Sequence, residues 1–192
     1  MTEVSPRKKG IQPEMLVGVS AVFIGVCALV VSLYETELMR EEQRSAVLPI
    51  LELGRSYYTK TGDETRTNWR LSLHAENVGI GPARVHDFVV TVDGKPHPTW
   101  RSAFEAMLED DVRIRYGQST INGRTIPADR SIKMFDLSNT EFVVPIIAEF
   151  ERLDFEACFC SVFDECWTTS YSDFGATEPV AECQPGEDSF TE

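Results

Sequence analysis

The sequence predicts a mainly β protein, in which an N-terminal transmembrane helix is followed by an antiparallel β-sandwich with one short inserted helix. Three observations lead there. Met15–Tyr34 (MLVGVSAVFIGVCALVVSLY) runs for twenty residues without a charge, and a helix of that length spans about 30 Å, the hydrocarbon thickness of a bilayer. Beyond Pro49 the apolar spacing changes to strict alternation. It is clearest in Asn68–Asn77, where Trp69, Leu71, Leu73 and Ala75 alternate with Arg70, Ser72, His74 and Glu76. Turn-forming clusters at Asn77–Ala83, Asp93–Pro96 and Asn122–Arg124 separate such stretches, as in a sheet with one face buried and one wet.

The N-terminal residues 1–14 form a polar tail carrying Arg7, Lys8 and Lys9 against Glu3 and Glu14. Lys and Arg resist translocation, so this end is expected in the cytoplasm. The span, 15–34, is too long for a signal-peptide core and no A-x-A site follows, which makes it an uncleaved anchor. Val26 is too bulky to precede a lipoprotein cysteine at Cys27. Within the span Gly18, Ala21, Gly25, Ala28 and Ser32 form a heptad-like stripe of small residues, a candidate surface for helix–helix contact in lipid. Residues 35–46 (ETELMREEQRSA) are rich in helix formers and extend the span as a juxtamembrane helix that Pro49 ends.

The β-domain is expected over 47–172. Val47–Tyr58 reads as its first strand, with Lys60–Glu64 as the turn into the second, Asn68–Asn77. Arg84–Val92 is the third, closed by the Asp93-Gly94 turn. Thr99–Asp110 (TWRSAFEAMLED) is the inserted helix. Thr99 caps it, and Trp100, Phe104, Met107 and Leu108 share one face. That face is expected to close one end of the sandwich, while Trp100 and Phe104 are also candidates for a partner surface. Val112–Ile121 and Arg130–Leu137 read as strands. Asn139–Phe150, holding the apolar run FVVPIIAEF, reads as a central strand with a bulge at Pro145. Phe155–Phe163 and Cys166–Ser172 form a hairpin around Asp164-Glu165. Residues 173–192 read as a loose acidic C-terminal tail, tethered if Cys183 is bonded.

The run NVGIGPA, Asn77–Ala83, set between two alternating strands, resembles a loop found in many immunoglobulin-like extracytoplasmic domains of bacteria. The layout of short anchor plus β-domain is similar to that of single-pass bacterial membrane proteins of uncharacterised function. The resemblance implies an immunoglobulin-like sandwich and says nothing of activity.

Four of the five cysteines lie in the last third of the chain: Cys158, Cys160, Cys166 and Cys183. An even number outside the span fits two disulfides in an oxidising compartment. Cys158 and Cys160 project to the same side of a strand, and Cys160 and Cys166 come close across a tip at Asp164-Glu165. The favoured pairing is therefore Cys160–Cys166 with Cys158–Cys183, although spacing alone leaves the other connectivities open. A four-thiolate zinc site is the rival, but C-x-C and C-x5-C suit zinc poorly. No metal and no cofactor is expected.

His74, His86 and His97 are scattered, and Gly79-Ile80-Gly81 lacks a third glycine, so neither a metal motif nor a nucleotide loop is present. No nucleophile motif appears. Net charge is −13, which repels nucleic acid and anionic headgroups. These readings converge on a non-catalytic, membrane-anchored binding or accessory subunit. Its partners would be the lipid bilayer and a protein or second copy, reached through the transmembrane helix or the sandwich. A solute- or signal-sensing ectodomain coupled to a membrane partner is the alternative, and a hydrolase a third. The expected location is an inner membrane, with the C-terminal domain periplasmic or extracellular.

Overall fold

A computed structural model describes residues 13–61, 67–109 and 113–192. Most of the expected N-terminal tail, the expected turn at residues 62–64 and the start of the expected strand at Val112 lie outside these. The chain divides into two units, Met1–Ser45 and Ala46–Glu192.

In the first unit, α1 (Pro13–Ser45) is one unbroken helix of 33 residues, about 50 Å long. Its apolar part is long and greasy enough to cross a bilayer. The side chains from Leu16 to Ser45 are all exposed, as a helix meant for lipid would be in its absence. Among the described residues, Gly18 and Gly25 of the small-residue stripe have nothing within 4 Å of where a Cβ would stand. Ser20, Thr36 and Ser45 satisfy their hydroxyls on carbonyls one turn back.

The second unit is two antiparallel sheets around one core. The first sheet runs in the order β1 (Leu51–Thr61), β2 (Thr67–Asn77), β7 (Arg130–Leu137), β5 (Gly117–Gln118). The second runs β10 (Thr177–Val180), β9 (Cys166–Ser170), β8 (Leu153–Cys160), β3 (Ala83–Val92), β4 (Lys95–Pro96), with β6 (Thr125–Ile126) also on β3. Alternation buries Leu71, Leu73 and Ala75 from one sheet and Val85, Phe88, Val90, Phe155, Ala157 and Phe159 from the other in the same core. Asp93 and Gly94 both take positive φ, 51° and 73°, the geometry of the two-residue hairpin turn that Asp-Gly favours.

Helix α2 (Trp100–Leu108) starts as expected: Thr99 Oγ1 accepts from Ser102 N at 3.1 Å while Ser102 Oγ accepts from Thr99 N at 3.3 Å. Its apolar face goes inward. Trp100 and Phe104 are 1% and 0% exposed, which removes both from any partner surface. The reason is aromatic packing. Trp100 stacks on Phe104 at 6.0 Å and meets Phe135 of the first sheet at 5.5 Å and Phe155 of the second at 6.5 Å. One indole thus bridges both layers.

Three further expectations give way. FVVPIIAEF is helical: α3 (Thr140–Ala148) is capped by Asn139, whose side chain accepts from Glu141 N. Val143, Ile146 and Phe150 are buried at i, i+3 and i+7, with Phe150 in a 3-10 turn, Phe150–Arg152, that follows. A continuous apolar run does not reveal its period, and the helical cap decided it. The strand expected over Val112–Ile121 shrinks to Gly117–Gln118. The supposedly loose tail is a strap. It adds β10 to β9, then inserts Phe190 (4% exposed) between Phe88 and Trp100 at 5.5 and 4.9 Å. Glu192 closes it, accepting from Trp100 N at 2.9 Å and from the Tyr116 hydroxyl at 3.2 Å. The acidic composition misled because one phenylalanine carries the docking.

The segment 47–50, expected as strand, joins the sheet through the buried Asn77. Its Oδ1 accepts from Ile50 N and Gly79 N, and its Nδ2 donates to the carbonyls of Gly81 and Ile126, at 2.8–3.3 Å. Gly79 and Gly81 are required here, since a Cβ on either would overlap the backbone of Val47–Ile50. Replacing Asn77 by Ala strands four backbone groups, and Asp, though isosteric, turns two donors into a charge facing two carbonyls. Both variants should destabilise the β-domain by about 3 kcal/mol or more, read as a loss of melting temperature. Aspartate should be no better than alanine.

Burial, followed by the charge of Glu192, pushes the Tyr116 phenol above its ordinary value. The folded state therefore holds this proton more tightly than the unfolded chain. That contribution is complete below the ordinary value near 10 and disappears as pH rises through the raised one. As pH rises above about 10, melting temperature should fall more steeply in the natural chain than in Tyr116→Phe.

Candidate functional site

One concave surface of the β-domain lies beside β1. A cleft of about 480 Å³ is lined by Glu52, Leu53 and Arg55 of β1, by Phe150 and Leu153, and by the turn after β9. Arg55 owes its place to β1's alternation. It shares the inward side with Leu51 and Leu53, but near the open end of the core, where its stem stays dry and its head reaches the cleft. The guanidinium carbon stands 4.3 Å from the Phe150 ring centre and 5.8 Å from those of Tyr57 and Tyr171. Tyr171 in turn stacks on Phe155 at 4.8 Å. Aromatic faces of this kind attract cations, and here the protein's own arginine already covers them. A free cationic ligand would have to displace it.

The turn closing the cleft is built by carboxylates. Asp154 accepts from Ser172 N at 3.0 Å and from Ser172 Oγ at 2.9 Å, and Asp173 accepts from Ser170 Oγ at 2.8 Å. At its apex Phe174 is held at φ 54° with its ring 99% exposed. Glu156, nearby on β8, is pushed above the usual carboxylate range by burial and then by Asp154, Asp87, Asp173 and Glu178. Burial thus leads this shift and the crowding of like charges adds to it, while the Ser170 and Ser172 hydroxyls are committed to Asp173 and Asp154.

On the outer face of the first sheet, Arg70 grips Asp136 with a two-pronged ion pair and donates to the Tyr58 hydroxyl at 3.0 Å. Arg70, joined by Ser72 Oγ at 2.9 Å, holds the Asp136 carboxyl below the usual range against the cost of its burial. His74 lies over Gly54, where a Cβ would collide with its imidazole. His86 falls at the irregularity between Val85 and Asp87 in the β3–β8 ladder, and its Nε2 has no hydrogen-bond partner. The three histidines remain apart.

The four cysteines of the β-domain are oxidised as Cys158–Cys183 and Cys160–Cys166. Cys160 and Cys166 stand directly opposite in the β8–β9 ladder with Cα atoms 4.0 Å apart. The neighbouring Ser161 N donates to the Glu165 carbonyl at 2.8 Å, so the cysteines occupy the close, non-hydrogen-bonded kind of pair. The sulfurs of Cys160, Cys166 and Cys183 lie within 4.8 Å of one another, the one such trio of metal-ligating groups among the described residues. In disulfides they offer no thiolate to a metal. Cys27, on α1, is free.

The sequence-stated cysteines thus come together, whereas the small-residue stripe sits on α1 by itself. The cleft was not visible in sequence. Its walls come from residues about a hundred positions apart, from Glu52 of β1 to Gly175 of the turn after β9. No known protein family and no curated protein matches the chain.

The two disulfides close loops with separations of 25 and 6 residues. Chain entropy assigns them about 3.5 and about 2.2 kcal/mol. Cys158→Ser/Cys183→Ser should therefore lower the unfolding free energy by about 1 kcal/mol more than Cys160→Ser/Cys166→Ser, measured by denaturant titration.

Proposed function

We propose that this chain is a non-catalytic binding or accessory subunit, anchored in a membrane by α1, whose β-domain on the oxidising side docks a protein. One observation carries the reading. A helix of bilayer length with no partner for its apolar surface is joined to a domain whose four cysteines are all in disulfides. Two antiparallel sheets sharing one core support the finer description of that domain as an immunoglobulin-like sandwich. Arg7, Lys8 and Lys9 support a cytoplasmic N-terminus and a periplasmic or extracellular β-domain in an inner membrane. The stripe of Gly18, Ala21, Gly25, Ala28 and Ser32 supports contact with another helix in lipid.

A solute-sensing role is the second reading, favoured by the cleft beside Arg55. It is weaker because Arg55 itself fills the aromatic faces a cationic solute would use.

Amine-reactive crosslinking in intact membranes should convert a large fraction of the chain into an adduct with another polypeptide. Protease added outside spheroplasts should remove the β-domain. Recovery of monomer alone would overturn the binding role, and a protected β-domain would overturn the topology.

A further inference from the structure

We propose that a second copy of this chain is the partner, adding antiparallel to the open edge of β1 in the register that sets Ser56 against its own counterpart. The inference rests on the reading of the β-domain as a binding module and supplies the occupant.

β1 is the outer strand of its sheet. Over its 11 residues it pairs with β2 and, among the described residues, with no other strand. Its hydrogen-bonding phase follows from the bonds just before it. Val78 N donates to the Ile50 carbonyl at 2.9 Å and Ile80 N to that of Leu48 at 3.1 Å. In the register Leu51↔Asn77 the even-numbered residues therefore exchange hydrogen bonds with β2. Antiparallel ladders alternate, so Leu53, Arg55, Tyr57 and Thr59 aim their N–H and C=O groups away from it. The strand contains no proline and no bulge is recorded in its pairing with β2, whereas edges left bare in monomeric proteins are usually short or blunted.

An incoming copy of β1 carries its free groups on the same odd residues, so only registers that place odd opposite odd complete the ladder. Setting Arg55 against the second copy's Arg55 opposes like charges. The register one step further, centred on Ser56, places Arg55 opposite the second copy's Tyr57, twice by symmetry. Arg55 already lies 5.8 Å from its own Tyr57 ring, and cross-strand pairs of this kind are attractive. The same register sets Glu52 opposite the basic position Lys60, also twice, and Leu53 opposite Thr59. Tyr58 falls against Gly54, over which the His74 imidazole already lies. Tyr57, 52% exposed, would be covered on the side where Arg55 borders the cleft. The strand is thus self-complementary about Ser56, a two-fold interface of the commonest kind.

The test uses the full chain in detergent, so that it does not depend on topology. Cys27→Ser removes the free thiol, and Ser56→Cys places two thiols at the symmetry axis, in a pair about 4.5 Å apart at Cα, within disulfide reach. Mild oxidation should yield a covalent dimer at least about tenfold above Ser131→Cys, an exposed site on β7, in the same background. Tyr57→Pro removes an N–H that β2 does not use, and Tyr57→Lys opposes Arg55 with a like charge. Either, added to Ser56→Cys, should cut the yield about tenfold while peptide mapping still finds Cys158–Cys183 and Cys160–Cys166. A Ser56→Cys yield no higher than that of Ser131→Cys, or one that Tyr57→Lys leaves unchanged, overturns the proposal. Crosslinking in membranes to a different polypeptide would then keep the binding role and reject self-pairing. A dimer held by α1 would appear in size measurements but ignore substitutions at Tyr57.

Discussion

A buried amide, with three backbone hydrogen bonds beside it, holds the β-domain to the segment that leads into it. Asn77 spends all of its hydrogen-bonding capacity on backbone from three places: the segment ending at Ile50, the Gly79–Gly81 loop and β6. No other side chain type could do this, because the site needs one acceptor and two donors on a short planar group. The glycines follow from it. With Asn77 drawing both segments together, their backbones come too close for a Cβ at Gly79 or Gly81. Through this knot the first strand finds its register, and with it the direction in which β1 presents its unused edge.

The opposite end is governed by aromatic packing. Trp100 touches rings from both sheets and is sealed by Phe190. The core is completed by a residue near the far end of the sequence; Asn122 Nδ2 donates to that residue's own carbonyl, and Glu192 accepts from Trp100 N beside it. The acidic C-terminal stretch is thereby part of the fold, and its charge is displayed on a held surface.

What could be read from residues alone was whatever has a short period or a local signature. Alternation placed β2 and β3, Asp93-Gly94 placed the turn that ends β3, Thr99 placed the start of α2, and the strand geometry of Cys158 and Cys160 favoured the pairing found. The rest depended on distant partners. FVVPIIAEF has no period to read, and its helix is decided by Asn139 and by what Val143 and Ile146 meet. Phe190 looks like a lone aromatic among acids until Phe88 and Trp100 are beside it. Gly79 and Gly81 read only as turn residues until the distant segment Val47–Ile50 crosses close to both. The cleft at Arg55 draws on β1, the turn after α3 and the turn after β9, and no window of sequence contains it.

The unequal spacing of the two crosslinks bears on how the molecule matures. Cys160 and Cys166 are separated by six positions and Cys158 and Cys183 by twenty-five, so the nearer thiols meet sooner in an unfolded chain. Once they have reacted, only one combination is left for the remaining two. A hairpin that oxidises early would thus act as its own proofreader, sparing the protein a search among three connectivities and lessening its need for an isomerase.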